Sequence, residues 1–319
     1  MSLTKEFKEK TKFRLKQQAI RMGFLACGVS RAEQLQTEAR HLENWLNEGK
    51  HGQMQYMERH FEKRTDPRKL VPGARSVVSL LMNYYPRAGE QPDKGFKISR
   101  YAYGTDYHHV VKERMKELWE WLEKETGTPV EGRAFVDSAP VMDKAWAARA
   151  GLGWLGKNTN LLTREVGSYY FIGEMIIDLE LPPDGPTTDH CGNCTRCIDA
   201  CPTGALEPYN IDARKCISYL TIELKEETPP EYHQQLEGWA WGCDICQEVC
   251  PWNRFTEPQR EDAFNLLEEV KHLDLQELGQ MSNRAWKKKM EKSPLSRVKR
   301  DKMISNITLA LASKKSDKE

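Results

Sequence analysis

The chain has 319 residues, with 48 Lys plus Arg against 47 Asp plus Glu, and nine cysteines. Such near-neutrality excludes a uniformly basic nucleic-acid binder, so any surface of that kind is a local patch. No apolar run approaches the ~20 residues of a membrane helix, and the charged start is an amphipathic helix rather than an export signal, so a cytoplasmic protein with no membrane partner and no disulfides is expected.

Residues 2–22 read as a helix, with Leu3, Phe7, Phe13 and Ile20 in one stripe and Gly23 closing it. Residues 24–29 form a short buried strand, in which Cys27 is a small buried hydrophobe. A second helix covers 31–48. Residues 76–82, a Val and Leu run bounded by turn signals, predict a buried strand. Residues 98–109 are dense in polar and aromatic groups; pocket lining is open, but on pattern alone surface is the better reading. A helix is expected over 106–126. Residues 133–137 predict a strand running into a helix that starts at Ser138-Ala-Pro140 and ends at Ala150. Residues 168–179 read as strands. Strands interleaved with helices argue an α/β layer domain over 1–180. The Pro-rich stretch 181–186 leads into a cysteine-rich domain, 181–260, and a helical basic tail, 261–319.

The cysteine-rich stretch carries the strongest signal. Cys191, Cys194, Cys197 and Cys201-Pro202 read C-x2-C-x2-C-x3-C-P, and Cys243, Cys246 and Cys250-Pro251 read C-x2-C-x3-C-P. Three cysteines on a tight loop wrap three irons of a cubane cluster, and the fourth, held off by proline, reaches a second cluster. By that crossing rule Cys191, Cys194, Cys197 and Cys250 hold one [4Fe-4S] cluster. Cys201, Cys243 and Cys246 hold the other, and Cys216 is the remaining cysteine of this region to complete it. Two all-cysteine zinc sites are the bland alternative.

Three other features are weaker. Gly151-Leu-Gly-Trp-Leu-Gly156 has the G-x-G-x-x-G spacing, but a helix precedes it and a loop follows. A dinucleotide site is therefore rejected, while close backbone approach to a flat or phosphate-bearing ligand stays open. Asp137 ends a strand where a helix is expected; an N-cap carboxylate and an acid presented to a ligand are both consistent. Arg284, Lys287, Lys288, Lys289, Lys292, Arg297, Lys299, Arg300 and Lys302 crowd the tail near Trp286, either as a solvated face or as a phosphate-backbone footprint.

The cluster signature, Val136-Asp-Ser-Ala-Pro140, the Gly151–Asn158 block, Gly173-Glu-Met-Ile-Ile177 and Ser296-Arg-Val-Lys-Arg300 together resemble epoxyqueuosine reductases. The resemblance implies an α+β or α/β fold: a nitroreductase-like cobalamin-binding domain, a bacterial-ferredoxin-like two-[4Fe-4S] domain and a helical C-terminal segment. It implies reduction of epoxyqueuosine to queuosine at the tRNA wobble position, with electrons passing through the clusters to cobalamin, as cob(II)alamin. The electron donor is external, a reductase, ferredoxin or flavodoxin, and the protein is expected to be a monomer. Asp137 matches the family's proton donor, and the eight cysteines its cluster ligands. His60, Arg100, Asp137, Lys157, Asn160, Ser168 and Asp244 are the cobalamin candidates. Members generally carry helical repeats after this point, so a reduced tRNA affinity or a naturally short form is expected. A small-molecule cobalamin-dependent reductase of the dehalogenase type is the alternative; a plain two-cluster electron carrier and a zinc-stabilised RNA binder lie further off.

Overall fold

The computed structural model of the protein describes residues 4–92 and 95–314. Helix α1 (Lys5–Arg21) starts where Thr4 Oγ1 accepts the Phe7 N–H, and Gly23, in a left-handed conformation, ends it. Its buried face differs from the stripe expected. Thr11, Leu15 and Ala19 are inside, whereas Phe13 and Ile20 are 62% and 50% exposed; Leu3 lies outside the described residues. In so polar a helix a few scattered apolar residues define no face, and contact with the neighbouring strand and helix selects one.

Strands β1 (Ala26–Arg31) and β2 (Ser76–Asn83) flank helix α2 (Gln36–Asn47) in sequence. Helix α3 (Tyr107–Thr126) is capped by Asp106, which accepts the His108 N–H, and ends at left-handed Gly127. Strand β3 (Gly132–Phe135), helix α4 (Asp143–Arg149) and strand β4 (Tyr170–Ile177) follow. The sheet has the order β1-β2-β4-β3, and every neighbouring pair is antiparallel. Both faces are covered. Val78, Leu80, Met82 and Met175 pack under α1 and α3, while Val77, Phe135 and Ile176 pack against Ala145 and Trp146 of α4. A strand buried on both sides reads as a continuous apolar run, the pattern usual in parallel sheets. That is why a mixed α+β layout resembles an α/β layer in sequence.

Two local corrections bear on the site. The strand ends at Phe135 and the helix begins only at Asp143, so 136–142 is irregular and Asp137 is not a helix cap. The Gly151–Gly156 stretch leads into a hairpin of residues 154–155 and 161–162. The close approaches its glycines permit are to the chain's own backbone: a Cβ on Gly151 would stand 2.6 Å from Gly185 O, and one on Gly153 2.1 Å from Leu162 O.

The tail is helical, ending in α5 (Arg300–Ser313). Its core joins Trp286, Met303 and Ile307 to Phe96, Ile98 and Trp241, so it packs on a parallel pairing of residues 97–98 with 239–241. Trp286 is buried and donates Nε1–H to Val298 O, which removes it as an aromatic for stacking bases.

The end of α4 rests directly on β1. A Cβ at Gly28 would stand 2.3 Å from Ala150 O and 2.9 Å from Leu152 Cδ2. Gly28→Ala is expected to cost ~1–3 kcal/mol through overpacking, read as a lower thermal midpoint; an unchanged midpoint would show that α4 can lift from the sheet.

Candidate active site

The eight loop cysteines are all free and partly accessible, and they sort into two groups. Cys191, Cys194 and Cys197 act on one another electrostatically and with Cys250; Cys216, Cys243 and Cys246 act on one another and with Cys201, and Cys246 also acts on Cys197 across the two groups. Burial first, and then neighbouring charge, that of Cys246 on Cys243 and that of Cys216 on Cys246, push both thiols above the ordinary range. Members of the first group line a cavity of about 220 Å³ with Lys157, Asn158 and Trp252. N–H donors point at the sulfurs: Trp154 Nε1 lies 3.5 Å from Cys191 Sγ, and Ala205 N 3.4 Å from Cys201 Sγ. Cys27 is apart, in the main core, its thiol pushed up to about 12 by burial.

A second cavity, of about 1250 Å³, opens beside the first. Among the described residues five non-glycines have left-handed backbone, and four of them, His60, Asp137, Thr159 and Tyr209, line it. Such conformations cost of order 1–3 kcal/mol each and persist where the surroundings enforce them, as at functional sites. The two cavities share a wall. Leu155 and Thr159 line the large one, and Lys157, Asn158 and Leu162 the small one.

Asp137 is the acid of the large cavity. Its side chain is more than half exposed there and accepts a hydrogen bond from Tyr107 Oη. Tyr107 Oη also accepts from Arg297 Nη2 at 3.2 Å, and Arg297 lies against the His108 ring, 2.9 Å from Nδ1. His108 is held by Asp106 at 2.6 Å and comes within 4.0 Å of Asp137. None of these partners was singled out from the sequence. Tyr107 and His108 sit in the polar-aromatic stretch read as surface, and Arg297 in the basic tail. Lys144 also lines the cavity, donating to Thr159 O (2.9 Å) and Asn160 Oδ1 (3.3 Å); burial lowers its pKa despite nearby Cys246.

Of the seven cobalamin candidates, His60 and Asp137 line the large cavity. The other five stand between it and the cysteines or behind them. Lys157 donates to the Gly192 and Cys194 carbonyls at 2.6 and 3.1 Å. Asn160 Nδ2 lies 3.9 Å from Cys246 Sγ. Asp244 is buried, accepting from Ser99 Oγ and from Arg100 N and Nη1 at 2.9 and 3.0 Å. Ser168 Oγ accepts from Gln247 Nε2 and Asn253 Nδ2, both at 3.0 Å. These contacts fasten the cysteine loops to the sheet.

A family model described as epoxyqueuosine reductase QueG, DUF1730, matches residues 64–138, the stretch that ends on Asp137 and its neighbour. A model of a 4Fe-4S double cluster binding domain matches residues 190–253, which hold all eight loop cysteines. An epoxyqueuosine reductase of Cellulophaga algicola is 54% identical over 94% of this chain and 98% of its own length. The chain belongs to the epoxyqueuosine reductase family. It is an oxidoreductase of mixed α/β content with a 4Fe-4S double cluster binding domain. A crystal structure of an epoxyqueuosine reductase with an epoxyqueuosine-modified tRNA-Tyr stem loop superposes with a TM-score of 0.87 at 32% identity, covering 96% of this chain and 82% of that one. The Bacillus subtilis epoxyqueuosine reductase, solved with its catalytic aspartate loop swung out of the active site, gives 0.86 at 31%, with the same coverage. Among the described residues no helix is long and apolar enough to cross a membrane.

The backbone at Asp137 (φ 50) yields a test. Asp137→Gly and Asp137→Ala lose the same carboxyl, but only glycine adopts this conformation freely. Asp137→Gly is expected to be the more stable by ~1 kcal/mol, measured as the difference in thermal midpoint; equal midpoints would mean that the loop relaxes.

Proposed function

We propose that this chain reduces epoxyqueuosine in tRNA to queuosine, with Asp137 as proton donor in the large cavity. The observation that carries this reading is the shared wall: one hairpin, residues 154–162, separates a strained acid-bearing cavity from a cage of free cysteines. Cys191, Cys194, Cys197 and Cys250 would hold one [4Fe-4S] cluster and Cys201, Cys216, Cys243 and Cys246 the second, as their electrostatic grouping supports. The large cavity exceeds the ~300–1,000 Å³ usual for small ligands, which suits cobalamin together with a nucleotide; His60 and Asp137 would face them. When bound, the clusters and cobalamin would supply the two electrons that the epoxide accepts, drawn one at a time from an external carrier.

The chain's own residues position, protonate and exclude water. Removing an epoxide oxygen breaks two C–O bonds and forms a C=C bond, consuming two electrons and two protons and releasing water. Asp137 delivers a proton to the departing oxygen, and Tyr107 and Arg297 fix the direction of its carboxyl. We read the irregular segment 136–142 as the counterpart of the catalytic aspartate loop of the Bacillus subtilis relative. The wobble nucleotide would enter splayed from the anticodon loop, as single-stranded recognition requires. Exposed Arg284, Lys287, Lys288 and Lys292, on the tail that also carries Arg297, supply cations for the tRNA backbone. In domain terms we assign 1–180 to cobalamin and substrate, 181–260 to the clusters and 261–319 to the basic tail.

Deoxygenation of an epoxyqueuosine-bearing stem loop tests the reading. Asp137→Asn is expected to lower turnover ~10²–10⁴-fold while leaving stem-loop affinity within about twofold; near-normal turnover would remove the acid role. For the clusters, Cys250→Ser is expected to lower the iron of the reconstituted protein from about eight to about four atoms per chain. Unchanged iron, or zinc in its place, would overturn the ligand assignment.

A further inference from the structure

Two more carboxyls stand behind Asp137. Asp143 opens α4 and lines the large cavity. Glu174 lies within β4, wholly buried, paired with Ser79 of β2 and Phe135 of β3. Alternation along β4 puts Glu174 on the side of Ile176, the face that α4 covers. Helix α4 begins over that face with Asp143, whose Oδ1 is buried, and the two carboxyls act on one another electrostatically. Among the described residues no N–H or O–H donor reaches either Glu174 oxygen or Asp143 Oδ1.

Two carboxylates cannot both be ionised in such a place. Each would forfeit its hydration, at several kcal/mol, and they would repel. One proton between them replaces the repulsion with a charge-assisted O–H···O hydrogen bond. Burial, first, and then the Asp143 charge push Glu174 well above the usual carboxylate range, and burial pushes Asp143 up to about 6. Arg64 is the cation acting on Asp143, and Asp137 is the anion acting on both. Neighbouring Lys144 directs its ammonium to Thr159 and Asn160. A buried carboxyl with no donor is costly to keep, and an aliphatic side chain would pack at that sheet position without the penalty.

We propose that the Asp143–Glu174 pair stores the second proton of the reaction and passes it, through Asp143, to Asp137. This rests on the reading of Asp137 as the donor to the epoxide oxygen. The reaction consumes two protons, and Asp137 holds one at a time. With the cavity filled by substrate, bulk water is cut off from Asp137, while Asp143 lines the same cavity wall. Only O–H bonds change in the relay: the pair gives up H⁺, Asp137 regains it, and the pair recovers a proton from water through the cavity wall at Asp143 after product leaves.

Glu174→Gln, in the cluster-loaded enzyme, keeps the shape and removes the exchangeable proton. It is expected to slow turnover about 10–100-fold with unchanged stem-loop affinity, to move the pH–rate profile, and to be partly rescued by small carboxylic acids. A second readout needs no turnover. An acid whose pKa is raised on folding releases its proton on unfolding, so its contribution to stability falls as pH rises from about 4, the unfolded value, past the folded values. Between pH 4 and 8 the thermal midpoint of the unsubstituted protein is expected to fall more steeply than that of Glu174→Gln. Should Glu174→Gln not fold, Asp143→Asn is held to the same outcomes. Turnover and pH–rate profile like the unsubstituted enzyme, or equal stability slopes, would overturn the relay while leaving Asp137 as donor. An unsubstituted enzyme that does not deoxygenate the stem loop would overturn the functional reading and the delivery step together.

Discussion

The rest of the molecule is arranged around one thin wall. Residues 155–162 face the cysteine cage with one set of side chains and the large cavity with another. Under the proposed function, an electron-transfer centre on one side and a water-sensitive reaction on the other would impose opposite demands on such a wall. It must be thin enough for electrons and tight enough to keep solvent out. Close contacts of backbone on backbone at Gly153, the left-handed turn at Thr159 and the Lys144 ammonium bound to Thr159 O and Asn160 meet both demands with few atoms.

A wall of this kind holds its shape only if both sides are rigid. On one side is a sheet packed on both faces. On the other, the cysteine loops are fastened by Ser168 to Gln247 and Asn253, and by buried Asp244 to Ser99 and Arg100. Buried polar networks of this sort are costly when half made and specify a unique arrangement when complete.

The acid side of the cavity is assembled from three distant parts of the chain. The loop after β3 gives Asp137, the start of α3 gives Tyr107 and His108, and the tail gives Arg297. Arg297 belongs to the same basic tail as exposed Lys287 and Lys288. Glu174, deep in the sheet beneath α4, adds a group whose charge state the solvent cannot set directly.

Some of this was legible in the amino-acid order alone. Cysteine spacing pointed to two ligand sets, because a cubane imposes a fixed separation on its ligands, and a 4Fe-4S double cluster binding domain matches the stretch that holds them. Helix α3 and strand β2 were readable from caps and apolar runs, which are local. Antiparallel pairing was not, because a strand covered on both faces loses the alternation that would reveal it. The buried side of α1, the inward fate of Trp286 and the role of Arg297 were also hidden, since each depends on what packs against it. Asp137 was legible as a residue but not as a conformation. Its left-handed backbone and its Tyr107 partner, thirty positions away, exist only once the sheet has brought β3 beside α3. Proton sharing between Asp143 and Glu174 is the extreme case: no spacing encodes it, and only strand register and burial place one carboxyl against the other.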